Sequence, residues 1–321
     1  MKVKHLLSMQ DLTSKEIEAI LDISEELKQK LRKGEPHQLL HGKTLGMIFE
    51  KPSLRTRVTF ETGMTQLGGH AVYLAPADIQ LGTRESVPDV ARNLSRWVDA
   101  VMARLFKHDI IVEFARYSSV PVINGLTDLH HPCQTLGDLL TIREHKGKLK
   151  GLKLAWVGDG NNVCNSLLLG CTLVGMSVSA ACPRGYEPPV DIVAQAKKNA
   201  AKTGAKVEIS NDSKKAVTGA DVIYTDVWTS MGQEKEREHR LMDFQGYQVN
   251  VKLLKHAKKD VIFMHCLPAH RGEEVADAVI DGPHSVVWDQ AENRMHAQKG
   301  ILVVLMGAEK SLRKPKSGGR T

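Results

Sequence analysis

Aromatic residues are scarce in this chain, and paired cysteines are absent. Phe, Tyr and Trp make up 5% of the 321 residues, and none of the five cysteines stands in a C-x-x-C spacing. So few rings leave no stacking platform for single-stranded nucleic acid. The odd, dispersed set Cys133, Cys164, Cys171, Cys182 and Cys266 gives neither a disulfide framework nor a structural zinc site. It fits reduced thiols in a cytoplasm, the expected location. No apolar run approaches the ~20 residues that span a bilayer, so no membrane partner is expected. The N-terminal M-K-V-K-H-L-L-S-M-Q is too short and polar for a secretory signal, and Asp11 and Glu16 argue against a transit peptide. A broad basic face is missing too. Five of the seven net positive charges (Lys310, Arg313, Lys314, Lys316, Arg320) lie in the last twelve residues, which leaves +2 for residues 1–309. A body that near neutrality is not built for nucleic acid.

What is present is an ordinary globular composition, 42% hydrophobic and 25% charged, with length enough for two cores. Thr13-Ser14-Lys15-Glu16 has capping-box form and opens a helix with Ile17, Ile20, Leu21, Leu27 and Leu31 at near-helical spacing. Apolar strand candidates then alternate with helical segments: 44–49, 70–74, 100–104 and 120–124, followed by 153–158, 177–182, 206–210, 222–226, 261–265 and 285–289. That alternation predicts an α/β chain of two doubly wound parallel-sheet domains, with a site in the cleft between them. The polar, glycine-bearing His145–Gly151 sets the boundary. The expected division is 1–148, 149–290, a helix over 291–309 packing back on the first domain, and a basic tail over 310–321.

The densest chemistry lies between Lys51 and Arg57, K-P-S-L-R-T-R, after the strand candidate 44–49 and before a helical segment predicted over 58–67. Free N–H groups at a helix start favour an anion. Arg55 and Arg57 add planar forks that match phosphate oxygens, and Ser53 and Thr56 add hydroxyl donors. A solvated basic helix start is the plain alternative, but it has no need of the two hydroxyls.

In open parallel sheets ligands bind beyond the carboxyl ends of strands. There the first half places Ser53–Arg57, Arg104 and His131-Pro132-Cys133-Gln134. The second places Gly158–Asn162, Asp226–Gly232 and His265-Cys266-Leu267-Pro268. Arginines and a histidine suit a phosphorylated carbonyl compound. Asparagine, aspartate and thiol suit an amine-bearing partner. Together they describe acyl transfer from an acyl phosphate to nitrogen.

Seven motifs carry a resemblance over residues 1–309: S-L-R-T-R, M-A-R, H-P-C-Q, G-D-G-N-N, D-V-W-T-S-M-G-Q-E, H-C-L-P-A and A-E-N-R, in that order and spacing. The chain resembles the aspartate/ornithine carbamoyltransferase family, on its ornithine-using side. The resemblance implies transfer of a carbamoyl group from carbamoyl phosphate to the δ-amine of L-ornithine, giving L-citrulline and phosphate, in arginine biosynthesis or catabolism. It implies a homotrimer or a multiple of trimers, with no metal and no organic cofactor. Carbamoyl phosphate would be held by Ser53, Leu54, Arg55, Thr56, Arg57, Arg104, His131, Gln134, Cys266, Leu267 and Arg294, with Gln80 matching a position that reaches a neighbouring subunit's site. Ornithine would be held by Asn162, Asp226, Ser230 and Met231. Arg104, His131, Asp226, Cys266 and Arg294 would carry catalysis, and the Leu267–Pro268 bond is a candidate for cis geometry.

Three alternatives are weighed against that reading. His130-His131 as metal ligands fails on geometry, since adjacent side chains diverge and no third ligand has suitable spacing. A dinucleotide site after Gly158-x-Gly160 lacks the third small residue, Val163 standing there, and the next strand candidate ends in Cys182-Pro183-Arg184 instead of an acid. Aspartate as acceptor would want a cation for its second carboxylate, for which Arg271 is the one candidate in the H-C-L-P-A-H-R loop.

Overall fold

The computed structural model describes residues 3–230 and 232–312. Its chain forms two compact units, one comprising the residues up to Cys133 with those from Arg294 onward, the other Gln134–Asn293. Both divisions fall inside long helices, Pro132–Lys146 and Val287–Leu305. The glycine-bearing 147–151 segment thus lies within the second unit. The physical reason is packing of the helix before it, whose Asp138 hydrogen-bonds Tyr224 of the second sheet.

The first unit holds a four-stranded parallel sheet of order β2-β1-β3-β4: β1 Thr44–Phe49, β2 His70–Leu74, β3 Ala100–Arg104 and β4 Val122–Leu126. Pairing of β3 with β4 slips after Ala103, so Arg104 faces Leu126, and β4 runs later than the 120–124 expected. One face carries the apolar core of Ile48, Val101, Ala103 and Val122 against Val90 and Leu94 of the helix Val87–Trp97 and Ile111 and Phe114 of the helix His108–Tyr117. The helix Ser14–Arg32 starts with the capping box read from sequence, Glu16 N–H donating to Thr13 Oγ1 at 3.2 Å and Thr13 N–H to Glu16 Oε2 at 3.0 Å.

The Arg294–Leu305 stretch is seated in this unit by close approach. A Cβ on Gly300 would collide with Ser24 Oγ and lie 2.8 Å from the Ile20 carbonyl oxygen, so only glycine lets the two helix backbones meet. We expect Gly300→Ala to cost about 1–3 kcal/mol by overpacking, read as a lower urea midpoint at unchanged m-value. Beside it, the fully buried Lys299 donates to Gln66 Oε1 at 2.8 Å and to the His37 ring at 3.3 Å, and burial pulls its pKa down to about 8.

The second unit holds a five-stranded parallel sheet of order β7-β6-β5-β8-β9: β5 Lys153–Val157, β6 Ser177–Ala181, β7 Val207–Ser210, β8 Val222–Thr225 and β9 Ile262–His265. Val157, Ile223, Phe263, Val275 and Val279 centre one of its cores. The strand expected at 285–289 does not form. Ser285 makes a single bridge to Phe263, and a helix begins at Val287 with Trp288 largely exposed, a helical rather than alternating pattern.

Strand order reverses between β1 and β3 in one sheet and between β5 and β8 in the other. Crevices at such switch points are where doubly wound sheets take ligands. Beyond β1 and β3 stand Lys51–Arg57 and Arg104. Beyond β5 and β8 stand Gly158–Asn162 and Asp226. No helix among the described residues is long and apolar enough to cross a membrane.

Candidate active site

In the first unit the helix after β1 begins at Leu54, earlier than predicted, because Ser53 caps it by accepting the Thr56 N–H at 3.2 Å. This puts the S-L-R-T-R run in the first turn, with its amide N–H groups and its guanidiniums together. Thr56 is buried, and its hydroxyl accepts from Arg294 Nη2 at 3.3 Å. Arg104, at the end of β3, is also buried. His131 is buried as well; burial holds its pKa well below the usual value, and Arg294, Arg104 and Arg55, in that order, push it further down. The result is a neutral imidazole surrounded by three guanidiniums, an arrangement whose mutual repulsion a bound polyanion would relieve.

Other sequence candidates in this unit sit differently. Arg57 is half exposed, paired with Glu61 at 3.0 Å and stacked 3.8 Å from the centre of the Tyr73 ring. Leu54 is 75% exposed, so any contact with an anion there falls to its backbone. Gln80 is exposed and ends a helical turn in left-handed geometry, φ 48°. It lines a cavity of about 390 Å³ with Phe49, Glu50, Ile79 and Phe106. Cys133 of the H-P-C-Q motif is structural: its thiol donates to the Asn124 carbonyl at 3.3 Å, and burial pushes its pKa to about 12.

In the second unit, Asp226 follows β8 and is buried on one side of the switch-point crevice. One carboxylate oxygen accepts from Asn161 Nδ2 at 2.8 Å, and the other from the Val227 N–H at 2.8 Å and from the Cys266 thiol at 3.0 Å. A buried carboxylate can receive an ammonium group. Within the Gly158–Asn162 run the resemblance implies a role for Asn162 and none for Asn161. Its Oδ1 caps the helix Asn162–Leu173, taking the Val163 and Cys164 N–H groups, which frees Nδ2 to bond Asp226. A capping residue three positions after the glycine that follows β5 was the signal available. Asn162 itself is half-buried, with its carbonyl taking the Ser166 hydroxyl at 2.9 Å.

Ser230 lies in a turn closed by Gln233, whose side-chain Oε1 accepts the Ser230 N–H at 3.0 Å. Met231 lies outside the described residues. The stretch leading into that turn is anchored by a second pair invisible to sequence reading. Arg240 donates to Asp159 Oδ2 at 3.0 Å and to the Trp228 carbonyl at 2.9 Å, tying the G-D-G turn to the segment after β8. Burial raises the Asp159 pKa to about 6 against the opposing pull of Arg240.

The H-C-L-P turn is held by His265. Its Nε2 bonds Glu274 Oε1 at 3.1 Å, and its Nδ1 accepts the Leu267 N–H at 2.9 Å. Leu267 is thereby kept at φ 58°, a costly conformation for a branched residue and one that concentrates at functional sites. The Leu267–Pro268 bond is cis. Asp226, His265 and Cys266 offer donor atoms within 4.8 Å of one another, yet both ring nitrogens of His265 are already engaged, so the trio is not a metal centre. Gly160 receives the Tyr186–Pro188 loop so closely that a Cβ would lie 2.7 Å from the Tyr186 oxygen. That glycine serves packing, not a pyrophosphate.

Comparison with known proteins also divides the chain in two, but between residues 144 and 150 instead of inside the two long helices. Residues 4–144 match the carbamoyl-P binding domain of aspartate/ornithine carbamoyltransferases, and residues 150–305 match the Asp/Orn binding domain. The ornithine carbamoyltransferase of Pyrococcus horikoshii is 56% identical over 311 residues, 97% of this chain and 98% of that protein. That of Archaeoglobus fulgidus is 57% identical over 307 residues, 96% of this chain and 99% of that one. Among solved structures, ornithine carbamoyltransferase from Pyrococcus furiosus superposes with a TM-score of 0.93 at 56% identity, covering 95% of this chain and 97% of that one. The anabolic enzyme from Campylobacter jejuni gives 0.89 at 42% identity, covering 95% and 99%. With both domain profiles matched and relatives above half identity along nearly its whole length, the chain belongs to the aspartate/ornithine carbamoyltransferase family.

Proposed function

We propose that the protein transfers the carbamoyl group of carbamoyl phosphate to the δ-amine of L-ornithine, releasing L-citrulline and phosphate, and that it does so as a homotrimer. The observation that carries this reading is the trio Arg55, Arg104 and Arg294 around buried, neutral His131. Phosphate oxygens and a developing carbonyl oxyanion both fit such a cluster, through charge-assisted hydrogen bonds of roughly 1.5–3 kcal/mol each. Ser53, Thr56 and Arg57 complete the phosphate half, and Gln134 meets the carbamoyl amide.

In the reaction the amine lone pair attacks the carbonyl carbon while Arg104 and His131 stabilise the oxyanion. The tetrahedral centre then expels phosphate with the electrons of the C–O bond, and the departing phosphate takes the second proton that the attacking nitrogen must lose to become the neutral amide. The attacking amine must first lose a proton. Its pKa lies near ~10.4, so the neutral form costs roughly 4.6 kcal/mol at pH 7. Asp226 and Cys266 position the ammonium and assist that loss, while Asn162, Ser230 and Met231 hold the α-amino and α-carboxylate groups. Turnover with ornithine is therefore expected to climb from pH 6 to above 8. A flat profile with chemistry rate-limiting would remove this account of the amine.

The acceptor choice has its own support. Arg271 is the cation a second acceptor carboxylate would need, and it is spent on Asp277 at 2.8 Å and on both oxygens of Asp281. Citrulline-type product formation measured with ornithine, putrescine and aspartate in separate assays tests the whole reading. Ornithine alone should give rapid turnover, and equal or better turnover with aspartate would overturn it. For the assembly, light scattering is expected at three times the 35.5 kDa chain mass, or a multiple of that.

A further inference from the structure

A buried hydrogen-bond network in the second unit converges on Asp138, a residue to which the chemistry above gives no role. Asp138 is fully buried in the helix Pro132–Lys146. Its Oδ1 accepts from Gln134 Nε2 at 2.8 Å and from Gln290 Nε2 at 2.7 Å, and its Oδ2 accepts from the Tyr224 hydroxyl at 3.1 Å. Gln290 in turn takes the His265 N–H on its Oε1 at 2.9 Å.

These bonds fix both amide orientations on chemical grounds. A peptide N–H only donates, so Gln290 must give its oxygen to His265 and its NH2 to Asp138. A carboxylate only accepts, so Gln134 must also turn its NH2 toward Asp138. The opposite end of the Gln134 amide is then an acceptor. An acceptor is what a carbamoyl –NH2 requires, whereas a donor in its place would repel that group.

We propose that Asp138 is a positioning residue that sets the Gln134 amide to accept from the carbamoyl –NH2, and that Gln290 locks this setting to the backbone of the His265–Leu267 turn. The inference rests on the reading in which Gln134 meets the carbamoyl group. It makes Asp138 the source of discrimination between carbamoyl phosphate and an acyl phosphate with a methyl in place of the amide.

A double-mutant cycle on Gln134→Ala and Asp138→Asn tests it, with ornithine saturating and carbamoyl phosphate varied. Each single substitution is expected to raise the KM for carbamoyl phosphate by roughly ten-fold, and the double variant by no more than either alone. The inhibition constant of inorganic phosphate, which has no amide, should stay within about two-fold of wild type in all three. Additive losses in the double variant, a parallel loss of phosphate binding, or no effect of Gln134→Ala would each overturn the proposal. Should Asp138→Asn fail to fold, Tyr224→Phe removes the donor on Oδ2 and one of the two acceptors of Gln290 Nε2 while leaving both amide bonds to Oδ1 in place; a KM rise of no more than about three-fold supports the assignment of Gln134 to Oδ1, and any larger rise refutes it. Wild-type turnover with ornithine tests the parent reading separately, because its failure would leave no KM to compare.

Discussion

Arg104→Ala is expected to lower kcat by about two to three orders of magnitude, the loss seen when one preorganised oxyanion donor is removed. Arg104 sits at the carboxyl end of β3, buried, and is one of three guanidiniums that depress the His131 pKa. On the proposed mechanism its removal takes away a donor to the carbonyl oxygen, while burial and Arg294, the larger causes of the lowered His131 pKa, stay in place. Arg104→Lys should recover little, because an ammonium restores the charge but not the planar fork. Pre-steady-state kinetics with saturating carbamoyl phosphate measures the chemical step directly. A kcat within ten-fold of wild type, in a variant with an unchanged melting profile, would remove Arg104 from the reaction.

Asp226→Asn is expected to cut kcat/KM for ornithine by about 10²- to 10⁴-fold, the range for a positioned acid–base group. The substituted amide keeps the shape but loses the charge that receives the ammonium. It also replaces one accepting oxygen by a donor, so that either the bond from Asn161 or the bonds from the Val227 N–H and the Cys266 thiol are lost. Inorganic phosphate should bind the variant as it binds wild type, because the guanidinium cluster lies in the other unit. Cys266→Ser should lose far less, since a hydroxyl can make the same donation. If Asp226→Asn turned over ornithine normally across pH 6 to 9, the acceptor half of the mechanism would fall.

The regular architecture was legible because apolar runs of strand length alternate with helical segments. β1, β2 and β3 fall where the pattern put them, at Thr44–Phe49, His70–Leu74 and Ala100–Arg104. The 285–289 expectation failed since S-V-V-W-D is apolar without alternation, and tertiary packing of Val286 and Val287 turned it into a helix start. For the candidate site the sequence offered position alone: the strand ends, where doubly wound sheets take ligands, carry the candidate side chains.

What holds those side chains was not legible. Arg240 meets Asp159 across 81 residues and Gln290 meets Asp138 across 152. Neither spacing has a local signature, and a lone charge at Asp138 within the otherwise uncharged 135–142 stretch was the faintest of hints. Arg57 shows the reverse problem. Its place in S-L-R-T-R is plain in the sequence, but its stacking on Tyr73 and pairing with Glu61 depend on where β2 lies.

Lys299 gives the molecule a built-in preference for alkaline conditions. Buried against Gln66 and His37, it releases its proton near pH 8 in the native chain but only near 10.5 once unfolded. Below pH 8 both states are protonated and the burden on the fold is complete. Between about 8 and 10.5 the denatured chain holds the extra proton, so this residue's contribution to resistance against denaturation grows as acidity falls. Replacing it by methionine should flatten that part of the curve in urea titrations run at successive pH values. In a medium that strips protons from amines, this one buried cation therefore opposes folding least.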